Sequence, residues 1–97
     1  MNGAQLRARR RRIIVELANL EKNIAKEIRR ILEDRGMSQM EAAALTGEAP
    51  SQISLIVTGK LRGFSLKRLI RVRALLGSEV TLTFTSSTTP DVTVVFN

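Results

Sequence analysis

One spacing constrains this chain more than any other feature: Gln39, Ala43, Gly47, Ile53 and Ile56 stand where two short crossing helices need them. A crossing point tolerates little bulk, and Ala43 has nothing beyond Cβ. The turn needs a residue that enters the left-handed backbone region at little cost, and Gly47 does so. The second helix then needs a β-branched apolar anchor against the first, which Ile53 supplies. Ser38-Gln39-Met40-Glu41 has the pattern of a capping box, with the serine hydroxyl accepting from the Glu41 N–H. These signals predict one helix from Gln39 to Thr46 and a turn over Gly47-Glu48-Ala49. Pro50 suits the first position of a second helix, where its missing N–H is not needed. That helix is expected to run to about Thr58 and stop at Gly59.

The flanks extend the pattern. Leu17, Leu20, Ile24, Ile28, Ile31 and Leu32 step by threes and fours, which is one face of a long helix ending at Gly36. Its start is open, with Asn19 as a cap or a reach back to about Leu6. Ser65 caps a fourth helix, Leu66 to Leu76, whose core face is assigned to Leu66, Leu69, Ile70 and Val72 to Leu76. After Gly77 the period changes to two. Val80, Leu82 and Phe84 alternate with threonines, Ser86 to Asp91 reads as a turn, and Val92 to Phe96 reads as a second strand. An isolated hairpin is marginal in water, so it must pack on the helices or pair with a second chain.

Composition narrows the function classes. A chain of 97 residues is one small domain. It has no Cys and no His, which removes disulfides, thiol nucleophiles, imidazole bases and the usual zinc sites. No cofactor or metal is expected. Glu41 and Glu48 are separated by a turn and nothing sets them up as an acid–base pair, so the chain is not read as an enzyme. No apolar run is long enough to span a membrane, and the basic start lacks the apolar segment of a signal peptide. A cytoplasmic location is expected. The net charge of +7 and pI of about 11.3 call for an anionic partner, nucleic acid first. The charge is uneven: residues 1–35 carry ten basic and five acidic groups, residues 36–63 two of each, and residues 64–76 four basic groups. A basic amphipathic helix at a membrane surface is the lesser reading, since its apolar face is needed for the core.

The stretch Gln39-Met40-Glu41-Ala42-Ala43-Ala44-Leu45-Thr46-Gly47, followed by Ser51-Gln52-Ile53-Ser54, resembles the Cro/C1-repressor type (XRE-like) helix-turn-helix family. The continuation from Gly59 to Leu69 is similar to a narrower branch in which C-terminal strands replace the usual fifth helix. That branch includes antitoxins of type II toxin–antitoxin modules. The resemblance implies a mainly α fold: a four-helix, lambda-repressor-like helix-turn-helix core with a C-terminal β-hairpin or dimerising strands. Three segments follow, namely a basic N-terminal arm over 1–12, the helix-turn-helix domain over 13–77 and dimerising strands over 78–97.

It also implies a function: a repressor-like transcriptional regulator that binds a palindromic operator in double-stranded DNA as a homodimer. The alternative is an antitoxin that neutralises a toxin protein and regulates its own operon. Gln39 is placed on a phosphate by the resemblance, Pro50, Ser51 and Gln52 at the bases, Ser54 and Leu55 at the groove or its edge, and Lys60 and Arg62 on the DNA backbone. Arg9, Arg10, Arg11 and Arg12, with Arg7, form either a frayed terminus or an arm along phosphates or into a minor groove. Lys67, Arg68, Arg71 and Arg73 are expected on a solvated helix face. The chain departs from the family pattern at Thr46 and Glu48, where apolar residues are usual, and at Ala49, where a Ser or Thr cap is usual. Glu48 is expected near the groove, where phosphate would repel it.

Overall fold

The computed structural model describes residues 2–77 in full and the backbone of residues 80–85 and 91–96. Four helices are present: α1 (Gly3–Arg35), α2 (Gln39–Thr46), α3 (Pro50–Val57) and α4 (Leu66–Leu75). The backbone of β1 (Val80–Thr85) pairs antiparallel with that of β2 (Asp91–Phe96), Val80 opposite Phe96 and Thr85 opposite Asp91. Asp91, expected to close the turn Ser86 to Asp91, is the first residue of β2; the rest of that turn, residues 86–90, and the facing of the strand side chains lie outside the described residues.

The long helix starts far earlier than Asn19 and slightly earlier than Leu6. Asn2 is its cap: the Asn2 side chain accepts from the Gln5 N–H at 2.9 Å, and the Gln5 side chain accepts from the Asn2 N–H at 3.1 Å. This reciprocal pair satisfies two of the helix's orphan donors. Residues 3–12 are therefore the first turns of a 33-residue helix, not an extended arm. At the other end Gly36 takes the left-handed conformation with φ of 58°, and Arg35 Nη1 donates to the Leu76 carbonyl at 2.7 Å. That bond ties the end of α1 to the end of α4.

The core lies on the second half of α1. Ile24, Ala25, Ile28, Ile31 and Leu32 are buried against Ala42 and Ala43 of α2, Ile53 and Ile56 of α3, Phe64 of the following loop, and Leu69, Val72 and Leu76 at α4. Leu17, assigned to this face from its spacing, lies ahead of the core and is 37% exposed. The face of α4 is also narrower than its run of apolar residues implies. Leu75 is 48% exposed, while Arg73 is only 3% exposed. Arg73 takes a core position because Glu27 of α1 stands 3.7 Å from its Nη2. Burial draws the Arg73 guanidinium down from its ordinary pKa, and Glu27 opposes that drop. Glu27 itself is held below the usual glutamate range, first by its hydrogen bond from Arg30.

The motif forms as its spacing requires. Ser38 Oγ accepts from the Glu41 N–H at 3.0 Å, and Gly47 closes α2 with φ of 76°. Thr46, at a site that is usually apolar, is 4% exposed. Its hydroxyl donates to the Ala42 carbonyl at 2.7 Å and accepts from the Glu48 N–H at 3.3 Å. A buried hydroxyl is tolerated when it is satisfied in this way. Ala49 precedes α3 with no side-chain cap.

Two stability outcomes follow. No atom lies within 4 Å of a Cβ built on Gly47, so Gly47→Ala should lose only the left-handed conformational preference, about 1 kcal/mol. Ala49→Ser supplies the missing cap and should raise stability by about 1 kcal/mol. Urea unfolding curves of the two variants check both signs.

Candidate nucleic-acid interface

The turn between α2 and α3 carries a tightly held polar cluster centred on Glu48. Glu48 is buried there, with a side chain only 5% exposed. Its carboxylate accepts from Arg68 Nε at 3.0 Å and Arg68 Nη2 at 2.5 Å, and from Arg71 Nη2 at 3.3 Å. Arg68 thus closes a two-pronged fork on the carboxylate, a strong geometry for this pair. The same guanidinium lies 4.5 Å from the centre of the buried Phe64 ring, a cation–π contact. The hydrogen bond from Arg68 is the main reason Glu48 is held below the ordinary glutamate value of 4.5, while desolvation works against it.

Two expectations are corrected by this cluster. Glu48 is folded into the domain beneath the turn and does not present a free charge to phosphate. Arg68 is committed to Glu48 and Arg73 is buried, while Arg71 reaches Glu48 with its side chain 61% exposed, so only Lys67 and Arg71 of the four lie on a solvated face. Only Lys67 of that set is exposed with no tie to Glu48 or the core.

The cluster reaches one predicted reader. Arg68 Nη2 also donates to Gln52 Oε1, at 3.4 Å. A guanidinium has donors only, so the amide oxygen of Gln52 must face it. The amide N–H₂ is then the end left for a ligand. Around Gln52, Pro50 and Ser51 are exposed and Ser54 is half-buried. Leu55 packs against the core cluster, which leaves it less to offer a groove than its sequence position implied. Thr58 turns its hydroxyl back onto the Ser54 and Leu55 carbonyls at 2.8 and 3.2 Å. Gln39, the first residue of α2, is exposed, as are Lys60 and Arg62 in the loop after α3. Pro50, Ser51, Gln52 and Ser54 lie on α3, Lys60 and Arg62 in the loop that follows it, and Gln39 lines a depression with Val57 at the end of α3, whereas Arg9 to Arg12 belong to the early turns of α1, well ahead of the core.

A basic row on α1 was not singled out from sequence. Lys22, Lys26 and Arg29 line a surface depression with Ile56, Val57, Thr58, Gly59 and Leu61. They stand beside the end of α3 and the loop that holds Lys60 and Arg62. Their spacing of four and three marks a single helix face, but only the packing of α1 against α3 shows that this face borders the motif.

Two helices joined by a left-handed glycine, with the second helix held by the first and by α1, define a helix-turn-helix domain. The chain belongs to the helix-turn-helix domain family, which matches residues 14–84. No match was found among curated proteins or among solved structures. Membership of this family supports a DNA-binding regulator. No helix among the described residues is long and apolar enough to cross a membrane.

The Glu48 cluster sets an acid limit. A carboxyl group whose folded pKa is depressed stabilises the fold above its unfolded value, and that stability is lost as pH falls through the folded value. Thermal unfolding should therefore drop in temperature as pH falls through and below 4.5, the ordinary glutamate value. Glu48→Gln should be less stable at pH 7 and should show a shallower acid drop. Arg68→Met leaves the buried carboxylate with Arg71 alone and should lose roughly 2 kcal/mol, discounted for the partial exposure of Arg68. Calorimetry across pH 3 to 7 reads both effects.

Proposed function

We propose that this protein is a repressor-like transcriptional regulator that binds a palindromic DNA operator as a pair of copies. The reading is carried by one observation: the first turn of α3 stands at the surface, with Pro50 and Ser51 exposed and Gln52 half-buried. In helix-turn-helix domains that end of the second helix enters the major groove. Gln39, Lys60 and Arg62 position the helix on phosphates, and Ser51, Gln52 and Ser54 read base edges. Lys22, Lys26 and Arg29 extend the phosphate-binding surface along α1. No catalytic role is assigned.

The hold of Arg68 on Gln52 shapes what this reader selects. A free glutamine recognises adenine by donating and accepting together. With its oxygen turned to Arg68, Gln52 presents its N–H₂ first and favours a base edge that offers an acceptor, guanine N7 and O6 or thymine O4.

A gel-shift titration with DNA from upstream of the protein's own gene tests the reading. Binding at micromolar protein should weaken steeply with salt, and the proposal is dropped if no salt-sensitive shift appears. Lys60→Ala and Arg62→Ala should weaken binding to all sequences alike, each reducing the salt slope by about 0.9. Gln52→Ala should instead relax preference at one base position, by about 1–3 kcal/mol of discrimination.

The antitoxin reading draws on the few base-reading groups of α3, since Leu55 and the Thr58 hydroxyl are turned to the protein. In that reading DNA binding serves autoregulation. Co-purification with the product of a neighbouring gene supports it, and failure to co-purify with that product counts against it.

A further inference from the structure

The depression between α1 and the end of α3 has a feature that phosphate binding does not use: it is partly apolar. Its volume is about 230 Å³. The buried Ala25 and Ile56 and the half-buried Val57 and Leu61 line it. The cations that line it, Lys22, Lys26 and Arg29, are all exposed, and no carboxylate lines it among the described residues. Lys22 and Lys26 have no ion pair or hydrogen-bond partner among the described residues. Arg29 meets Glu33 at 3.7 Å, with both side chains more than half exposed. A pair so open to water contributes little, so a better anion can replace Glu33.

These properties select a ligand. Sites for drug-sized molecules have about 300–1,000 Å³, so this depression takes something smaller. Lysine and arginine offer donors only, so the ligand must bring negative acceptors. The walls at Val57 and Leu61 call for an apolar body beside that charge. Inorganic phosphate or a DNA phosphodiester meets the cations and leaves the apolar walls wet. A neutral apolar molecule covers the walls and leaves the cations unmatched. The end of α3 would ordinarily repel an anion through its free carbonyls. Here the carbonyls of Ser54, Leu55 and Ile56 accept from the N–H groups of Thr58, Lys60 and Gly59. The Thr58 hydroxyl also donates to the first two, so that end is blunted.

We infer that this depression is a binding site for a small carboxylate with an aromatic or branched apolar body. The carboxylate lies among Lys22, Lys26 and Arg29, and the body rests on Val57 and Leu61. The site uses no DNA contact, so it stands or falls apart from the operator reading. Where that reading holds, a bound carboxylate occupies cations that would otherwise meet phosphates.

The probe is 3-phenylpropionate, titrated into the full chain without DNA and followed in amide NMR spectra at constant ionic strength. It should shift the amides of Val57, Thr58, Gly59 and Leu61 along a saturable millimolar curve. Acetate, which lacks the body, and 3-phenylpropionamide, which lacks the charge, should each bind at least about tenfold more weakly. Lys26→Met keeps the apolar stem and removes the charge, and should weaken the probe about fivefold or more. Lys67→Met, on α4 and outside the depression, should leave the curve unchanged. Both lysines are exposed, so the variants keep the fold, and their dispersed spectra check it. Amide or acetate binding as tight as that of the carboxylate would overturn the inference. So would the absence of saturable shifts at these amides, or a Lys26→Met curve that matches the wild type.

Discussion

Glu48 brings a carboxylate into the turn between the two motif helices, where water is largely shut out, and only α4 can compensate it. An ionised carboxylate left alone in such a place is strongly unfavourable. Arg68 and Arg71 reach it across a sequence separation of 20 and 23 residues, so the turn and α4 must dock in one register. The same guanidinium stacks on Phe64 and touches Gln52. One buried ion pair therefore sets the seat of α4, the path of the loop after α3 and the orientation of Gln52, the side chain proposed to read a base. Hydrophobic burial supplies the bulk of the stability, but it is non-directional. The fork of Arg68 adds the geometry.

Local signals in the sequence were enough for the four helices. Caps, left-handed glycines and the proline at position 50 act within a few residues, so their effect is visible in the chain itself. The ends of α2, α3 and α4 follow from Ser38, Gly47, Pro50, Ser65 and Gly77. The start of α1 was missed although Asn2 and Gln5 carry the same capping logic, because the arginine-rich stretch between them and the apolar stripe reads as a tail. The Glu48 cluster was invisible for another reason. Glu48 looks like a surface charge by type, and Arg68 and Arg71 like surface charges by spacing. Only the fold brings them together. Arg73 in the core and Leu75 outside it show the same limit: apolar spacing locates a helix face to within about one residue, and a charged neighbour can take the inner place when a partner such as Glu27 is near.

The candidate interface divides its labour. Around α3 the groups proposed to meet a base edge are few and neutral. The charges lie on either side, on α1 at Lys22, Lys26 and Arg29 and in the loop at Lys60 and Arg62. Affinity from such an arrangement is dominated by counterion release, and selectivity by the small set of donors at the first turn of α3. The basic row on α1 became legible only through packing, because its neighbour in space, the end of α3, is distant in sequence.

The short helices have a dynamic consequence. α2 and α3 are eight residues each, well below the length at which a helix persists alone in water. Their hydrogen bonds survive because Ala42, Ala43, Ile53 and Ile56 are locked into the core. The amides of α3 should thus open only when the whole domain opens, while the early turns of α1 fray separately and at far lower free energy. The helix proposed to read DNA is as rigid as the protein is stable. Any substitution that lowers global stability will loosen the reading head in proportion, without touching a single residue of it.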